Sequence, residues 1–212
     1  MSGQTRVISG PRLDKVVHIS KILKMKIVLA SESPFRRRAL DMLGLAYEIC
    51  PSEIDEKAIR DSNPAILTEK LAEAKARKVA SQYPDAVVIS GDAVGSKGNR
   101  IYEKPRTMEE AAQFLRELSG SKFQFVTALA VVHSQTGRML FTVEISDISF
   151  RPLVEREIEA YINQYAVLSY AGAFESDAVL RFAERISGSY NFVTALPVSR
   201  LIVFLRAQGV DI

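Results

Sequence analysis

Short apolar runs alternate along the chain with longer segments in which apolar residues recur every three or four positions. The first pattern predicts buried strands and the second amphipathic helices. The predicted strands cover residues 26–30, 46–50, 86–90, 123–133, 138–150 and 190–193. The predicted helices cover residues 34–43, 64–82, 107–118 and 153–165, with a last helix from Pro197. Alternating strands and helices, with one long antiparallel pair joined at Gly137, predict an α/β protein whose mixed, partly antiparallel sheet is flanked by helices.

Residues 26–212 are predicted to form a single domain of two lobes, 26–120 and 121–212. The stretch before it, residues 1–25, contains Gly3, Gly10 and Pro11 and has no clear periodicity. We interpret it as an extension that is partly disordered. In such sheets ligands bind outside the carboxyl ends of the strands. The strand at 86–90 is expected to stop at Gly91-Asp92, with a small hairpin around residues 95–99.

Composition and charge exclude some classes of protein but do not identify the function. The 212 residues are 47 % hydrophobic and 25 % charged, and the net charge is +3. These values fit an ordinary globular domain and do not favour a nucleic-acid-binding protein, which would carry a basic stripe interleaved with aromatic residues. A single cysteine, Cys50, excludes an internal disulfide and favours a reducing cytoplasm. No apolar run is long enough to span a membrane.

The segment Ser31-Glu32-Ser33-Pro34-Phe35-Arg36-Arg37 follows the first strand and opens the first helix. The free amides at a helix N-terminus attract anions, and arginine side chains match phosphate oxygens in pairs. The segment is therefore a candidate phosphate site without a glycine-rich loop. A capped helix with a solvated arginine face would give the same pattern.

Carboxylates follow two of the predicted strands. Glu53-Ile54-Asp55-Glu56 offers three acids suited to a hard cation, and Asp92 directly follows a buried strand, where it could hold Mg²⁺ or orient water. Solvated acids and a turn-forming aspartate are the alternatives. Lys104 precedes a proline and could neutralise phosphate, whereas Lys75 could equally pair with a neighbouring acid on its helix.

Two further patterns are less specific. Small residues in Ala171-Gly172-Ala173 would let the backbone approach a ligand, with Phe174 beside a base, or they could simply pack tightly. The two histidines, His18 and His133, lack the spacing of a zinc site.

Taken in order, these motifs resemble those of the Maf (septum-formation inhibitor) family over about residues 26–207. The matching stretches are 29–37, 53–56, 71–76, 90–92, 103–105, 109–120, 171–173 and 196–198.

The resemblance implies a fold like that of the inosine triphosphate pyrophosphatases, with the active site in a central cleft between the two lobes, and a homodimer. It also implies hydrolysis of nucleoside triphosphates between the α- and β-phosphates with Mg²⁺ or Mn²⁺, and a link to cell-division arrest. By the same resemblance Asp92, Glu56 and Lys75 would form the catalytic group, with Asp92 and Glu56 holding the metal. The residues expected to bind the phosphates are Ser31, Ser33, Arg36, Arg37, Lys75 and Lys104.

Three positions depart from the family patterns and bear on substrate choice. Phe35 stands where the thymidine and uridine triphosphate group has arginine and the 7-methylguanosine triphosphate group has tryptophan. Ala93 replaces a polar residue, and Asp177 stands in place of glutamine or glutamate. An aromatic ring suits a positively charged 7-methylguanine, and a carboxylate accepts hydrogen bonds from guanine. We therefore favour 7-methylguanosine triphosphate over thymidine or uridine triphosphate, with a non-catalytic nucleotide-binding regulator as the third alternative.

Overall fold

The computed structural model describes residues 25–212, apart from the side chains of residues 176–178. The predicted extension therefore lies, except for Met25, outside the described residues. The strands are β1 (Ile27–Leu29), β2 (Glu48–Ile49), β3 (Val87–Lys97), β4 (Arg100–Tyr102), β5 (Lys122–His133), β6 (Met139–Phe150) and β7 (Ala183–Gly188). The helices are α1 (Pro34–Met42), α2 (Pro64–Ala80), α3 (Met108–Leu118), α4 (Glu155–Gln164), α5 (Ser176–Phe182), α6 (Asn191–Thr194) and α7 (Val198–Ala207).

The strands form one mixed sheet in the order β2-β1-β3-β5-β6-β7, with β4 paired to β3. The pairs β1–β2 and β1–β3 are parallel, and all other pairs are antiparallel. This arrangement confirms the predicted α/β class. The expected border between the two lobes, at residue 120, separates β3 from β5. These two strands pair at ten positions, from Val87 with His133 to Ser96 with Gln124.

The helix starts follow the local chemistry of their caps. The side chain of Asn63 accepts hydrogen bonds from the amides of Ala65 and Ile66 at 2.9 and 3.4 Å. Pro64 occupies the first turn, where a backbone N–H group would have no partner within the helix, so its missing N–H costs no helical hydrogen bond. The side chain of Thr107 accepts from the amide of Glu110 at 3.1 Å. Both starts were predicted, and α2 carries Lys75 toward the sheet.

One strand prediction was wrong at its end. The strand that was expected to stop at Gly91-Asp92 continues to Lys97. The reason is tertiary, because β5 pairs with β3 throughout, including Asp92 with Ala128 and Gly95 with Phe125. A glycine and an aspartate weaken the strand signal locally, but the long neighbouring strand overrides it. The predicted hairpin is present, with Gly98 in the left-handed conformation between β3 and β4.

The prediction of a strand over residues 190–193 was also wrong. Residues Asn191–Thr194 form the helical turn α6, and the strand of this region is β7, which pairs with β6. The short run of residues 190–193 has no length or flanking signal that separates a strand from a helical turn.

The two sheet faces are covered differently. The buried apolar residues of α2, including Ala72, Ala76 and Val79, pack with Val88 and Ala130 on one face. The other face carries a cluster with α1 and α7 toward one end and an aromatic cluster with α3 and α4 toward the other. Both clusters include residues of β5 from the same face of the sheet. Phe123 and Phe125 belong to the aromatic cluster, and Leu129 and Val131 to the other, because alternate residues of a strand point to one face.

An interruption of strand pairing leaves part of one edge of β3 open. β1 pairs with β3 only as far as Ile89, and β4 pairs with β3 only from Gly95 onward. Between these points, in the described part of the chain, residues 90–94 have β5 as their only strand neighbour. Their other edge is therefore open, directly beyond the carboxyl end of β1. None of the helices formed by residues 25–212 has the length and apolarity required to cross a membrane.

Candidate functional site

A cavity of about 750 Å³ lies at this open edge of β3. It is lined by the end of β1, the start of α1, the segment from β2 to α2, α2 itself, β3, and the loops around residues 103–106, 169–174 and 192–195. The predicted site residues that line it are Ser31, Ser33, Phe35, Arg36, Glu56, Lys75, Asp92, Ala93 and Lys104. The fold thus brings together side chains that lie up to 73 positions apart, from Ser31 to Lys104.

A buried lysine joins the two predicted catalytic acids. The Lys75 Nζ atom lies 2.6 Å from Asp92 Oδ1 and 3.0 Å from Glu56 Oε1. The side chains of Lys75 and Asp92 are only 8 % and 10 % exposed, whereas that of Glu56 is 56 % exposed. Lys75 therefore pairs across the fold and not, as one alternative held, with an acid on its own helix.

The position of Asp92 is set by the sheet and by α2 together. Alternation along β3 sends Ser90 and Asp92 to the same face, and Ser90 Oγ donates a 2.5 Å hydrogen bond to the Ala72 carbonyl of α2. Burial raises the pKa of the Asp92 carboxyl group, although the charges of Lys75 and Arg36 act to lower it. Such a perturbed acid in a cavity is typical of functional sites.

The start of α1 faces the cavity with its polar groups. Ser33 is the N-cap but forms no side-chain cap bond, and Pro34 has no amide hydrogen. The first backbone bond, from Arg37 N to Ser33 O, leaves the amides of Phe35 and Arg36 without a carbonyl partner in the helix. These amides and the positive end of the helix favour an anion.

Arg36 is held in place from both sides of the cavity. Its guanidinium group donates to Ser31 Oγ at 3.0 Å and to the Ala195 carbonyl oxygen at 3.3 Å. Burial lowers the pKa of Arg36, while the nearby charges of Asp92 and Glu56 raise it. A guanidinium group nevertheless remains protonated in proteins, so Arg36 contributes a fixed positive charge.

Two predicted site residues are not placed in the cavity. Arg37 is exposed and is not part of the lining, because Phe35 and Arg36 face the cavity and Arg37, two positions after Phe35, points about 200° away from it around the helix. The structure therefore does not support Arg37 as a ligand of this cavity. The side chain of Asp177 lies outside the described residues, so its predicted role stays a prediction.

Left-handed backbone conformations concentrate around the cavity. In the described chain the non-glycine residues with positive φ are Glu53 (48°), Ala173 (65°) and Ala195 (49°). Glu53 and Ala195 line the cavity, and Ala173 directly precedes the lining residue Phe174. Each such residue costs on the order of 1–3 kcal/mol, and such costs are concentrated at functional sites. Sequence patterns gave no signal for them.

The charges that line the cavity do not all neutralise one another. Arg60 pairs with Glu103 at 2.9 Å, and Lys75 pairs with both Asp92 and Glu56. Within the described residues, the lining cations that form no ion pair are Arg36, Lys57, Lys104 and Arg106. Lys57, Arg60 and Arg106 were missed by sequence reasoning, since isolated basic residues between elements usually indicate only a solvated surface.

An aromatic pair lines another part of the cavity. The rings of Phe35 and Tyr170 meet edge to face with centroids 5.5 Å apart. Phe125, Phe174 and Phe192 also contribute to the lining. Phe35 was predicted as a specificity residue, but Tyr170 was not, because nothing in the sequence indicated that its loop would reach α1. The aromatic surface can accept a planar ligand group.

The acids of the cavity fit a divalent cation only if other ligands join them. Asp92 and Glu56 would donate carboxylate oxygens, but no group of three or more His, Cys, Asp or Glu side chains within residues 25–212 is arranged to hold a metal. Mg²⁺ is often bound by one or two carboxylates, with substrate phosphates and water completing its shell. The donor set fits a cation of that kind.

The α/β fold and this cavity define a protein with a cation-lined cavity beside a buried carboxylate. The family is now clear: the chain belongs to the Maf-like protein family, whose model matches residues 26–208. This finding confirms the resemblance drawn from the motifs.

Similar proteins carry two different descriptions. A 7-methyl-GTP pyrophosphatase of Nitrosococcus oceani is 37 % identical over 185 residues, which is 86 % of this chain and 93 % of that protein. A dTTP/UTP pyrophosphatase of Desulforamulus reducens is 35 % identical over 187 residues, covering 88 % and 98 % of the two chains. A HAM1 protein of Coxiella burnetii matches structurally at a TM-score of 0.49 and 16 % identity, covering 86 % of this chain and 99 % of that one.

The close packing beside Gly91 predicts that any side chain at this position destabilises the fold. A Cβ atom at Gly91 would lie 2.6 Å from Leu196 Cδ2 and 2.8 Å from the Ala128 carbonyl oxygen. Gly91→Ala should lower the unfolding free energy by about 1–3 kcal/mol, because the backbone must move. Urea denaturation measures this. The matched control is Gly95→Ala, where the nearest atom, Tyr102 Cβ, is 3.3 Å away; equal losses in both variants would contradict the packing argument.

Proposed function

We propose that this protein hydrolyses a nucleoside triphosphate to the monophosphate and pyrophosphate, with 7-methylguanosine triphosphate as the preferred substrate. The observation that carries the proposal is the meeting, in one cavity, of unpaired cations, the free amides of α1 and the buried Asp92. The pyrophosphatase activity named for the relatives from Nitrosococcus oceani and Desulforamulus reducens supports it.

Phosphate binding is the proposed role of the positive side of the cavity. A triphosphate carries about four negative charges, so attack by water requires charge neutralisation and alignment. We assign this task to Arg36, Lys104 and the hydroxyl groups of Ser31 and Ser33, with the α1 amides beside them. Lys75, which already bonds two acids, would complete this surface when the phosphates arrive.

Asp92 is the proposed base or orienting group for the attacking water. Lys75 bonds its Oδ1 atom at 2.6 Å, and Oδ2 is proposed to hold a water molecule. Water held there would be aligned for attack on the α-phosphorus, and its proton would pass to Asp92. Glu56, more exposed, would assist from the mouth of the cavity.

Mg²⁺ or Mn²⁺ is the proposed metal, held by Asp92 and Glu56 together with phosphate oxygens. Its chemistry would be to neutralise charge on the phosphates.

The base would rest on the aromatic part of the cavity. A 7-methylguanine is positively charged and is attracted to the face of an aromatic ring. Phe35, with Tyr170 at its edge, offers such a ring, and Ala93 leaves room where a longer polar side chain would intrude. Asp177 is proposed to accept hydrogen bonds from the guanine edge. Thymidine or uridine triphosphate is the alternative substrate, favoured by the nearly equal identity to a dTTP/UTP pyrophosphatase.

A homodimer in the cytoplasm is proposed from the family resemblance and from the lone Cys50. Sedimentation equilibrium decides the first point, and a concentration-independent monomer would contradict it.

Asp92→Asn should abolish turnover and leave nucleotide binding in place. The amide cannot take a proton from water, so pyrophosphate release should fall by a factor on the order of 10²–10⁴. A non-hydrolysable triphosphate should still bind, as measured by calorimetry. Asp85→Asn, outside the cavity and just before the same strand, is the matched control and should keep full activity.

Undiminished release by Asp92→Asn would refute the assigned role. Binding without any pyrophosphate release by the wild type would instead favour a non-catalytic nucleotide-binding regulator of septum formation.

The pH dependence of kcat/KM should report the raised pKa of Asp92. Because the ionised carboxylate is the active form, activity should fall as pH drops through a pKa above the usual value of about 3.9. Glu56→Gln removes a neighbouring negative charge that raises this pKa, so the acid limb should move to lower pH. An acid limb that arises from the substrate phosphates would stay in place and would contradict the assignment.

Substrate preference should appear as a ranking of kcat/KM. We expect 7-methylguanosine triphosphate to exceed guanosine triphosphate, which lacks only the N7 methyl group and the positive charge that it gives the ring. Both should exceed thymidine and uridine triphosphates. Phe35→Leu should reduce the advantage over guanosine triphosphate by about fivefold, the equivalent of about 1 kcal/mol of cation–π attraction. A clear pyrimidine preference in the wild type would end this part of the proposal.

A further inference from the structure

The ammonium group of Lys75 occupies the place between the two carboxylates that a metal ion would need. Its Nζ atom lies 2.6 Å from Asp92 and 3.0 Å from Glu56. Asp92 is almost completely buried, and a buried carboxylate requires a counter-ion. Lys75, itself buried on α2, supplies that counter-ion from within the chain.

Without nucleotide, these residues make a poor site for a divalent cation. Mg²⁺ takes six oxygen ligands and Ca²⁺ six to eight, and no group of three or more suitable side chains is found in residues 25–212. A dication that approached Asp92 and Glu56 would also meet the positive charge of Lys75 at short range, and Arg36 lies nearby as a second positive charge.

A bound polyphosphate would remove both obstacles to metal binding, the shortage of oxygen ligands and the repulsion by nearby positive charges. Its oxygens would provide the missing ligands, and its negative charge would offset Lys75 and Arg36, so that the ammonium group could bond phosphate and release one of its carboxylates. We propose that Lys75 is a built-in counter-cation that keeps the Asp92–Glu56 pair closed to divalent metal until polyphosphate binds. This inference rests on the proposed function and adds to it an order of binding: metal and nucleotide enter together.

The test measures metal binding without turnover. Mn²⁺ titrations followed by electron paramagnetic resonance are run on the wild-type protein alone and with a triphosphate whose α,β-bridging oxygen is replaced by a methylene group. Because the free analogue also binds Mn²⁺, its own titration is subtracted. We expect Mn²⁺ to bind the protein at least on the order of 10–100-fold more tightly when the analogue is bound. By reciprocity, Mn²⁺ should tighten binding of the analogue to the protein by the same factor.

A variant tests the part played by Lys75. Lys75→Met removes the ammonium group, so the nucleotide-free protein should gain Mn²⁺ affinity by about tenfold or more, and added Mn²⁺ should raise its melting temperature. Lys104→Met removes a lining cation that contacts neither acid, and it should gain no nucleotide-free Mn²⁺ affinity. If Lys75→Met does not fold, the wild-type titrations alone decide the matter.

Equal Mn²⁺ affinity of the wild type with and without the analogue would overturn the inference, as would a nucleotide-free Lys75→Met that binds Mn²⁺ no better than the wild type. The proposed function fails by a different result, the absence of pyrophosphate release from any triphosphate. The two failures are therefore distinguishable.

Discussion

The buried ion pair between Lys75 and Asp92 is the constraint on which the rest of the site depends. Two charges removed from water are tolerated only where each compensates the other, and loss of one partner leaves the second uncompensated. The pair therefore requires α2 to sit at a fixed place on β3, which the bond from Ser90 to the Ala72 carbonyl also supports. With Asp92 fixed, the open edge of β3 and the start of α1 define where an anion can lie.

Much of the fold could be predicted from local chemistry. The caps at Asn63 and Thr107 and the apolar runs of the long strands each act within a few residues, so the sequence carries their signal. The continuation of β3 beyond Gly91 could not be predicted in this way, because it depends on pairing with residues of β5 that lie 28 to 36 positions further along the chain. Strand β7 is similarly defined by its partner β6, not by an apolar run of its own.

For the site, too, local motifs predicted individual residues, whereas contacts between distant parts of the chain could not be predicted. Motif resemblance identified Asp92, Glu56, Lys75 and Lys104, and the fold places all of them in one cavity. Motifs could not show that Lys75 bonds both acids, since helical spacing offered a local partner equally well. Arg37 was predicted with them but lies outside the cavity, because the helix turns it about 200° away from Phe35. Other lining residues, such as Arg60 and Tyr170, could not be predicted because they join the cavity only where distant loops meet.

The central claim, that a polyphosphate lies against the Lys75–Asp92 pair, is tested most directly by a crystal structure. The complex should contain Mn²⁺ and a 7-methylguanosine triphosphate analogue that resists cleavage between its α- and β-phosphates. The account predicts phosphate oxygens bonded to Arg36 and Lys104 and the α-phosphorus facing Asp92. A nucleotide bound elsewhere, with Lys75 and Asp92 untouched by it, would contradict the account.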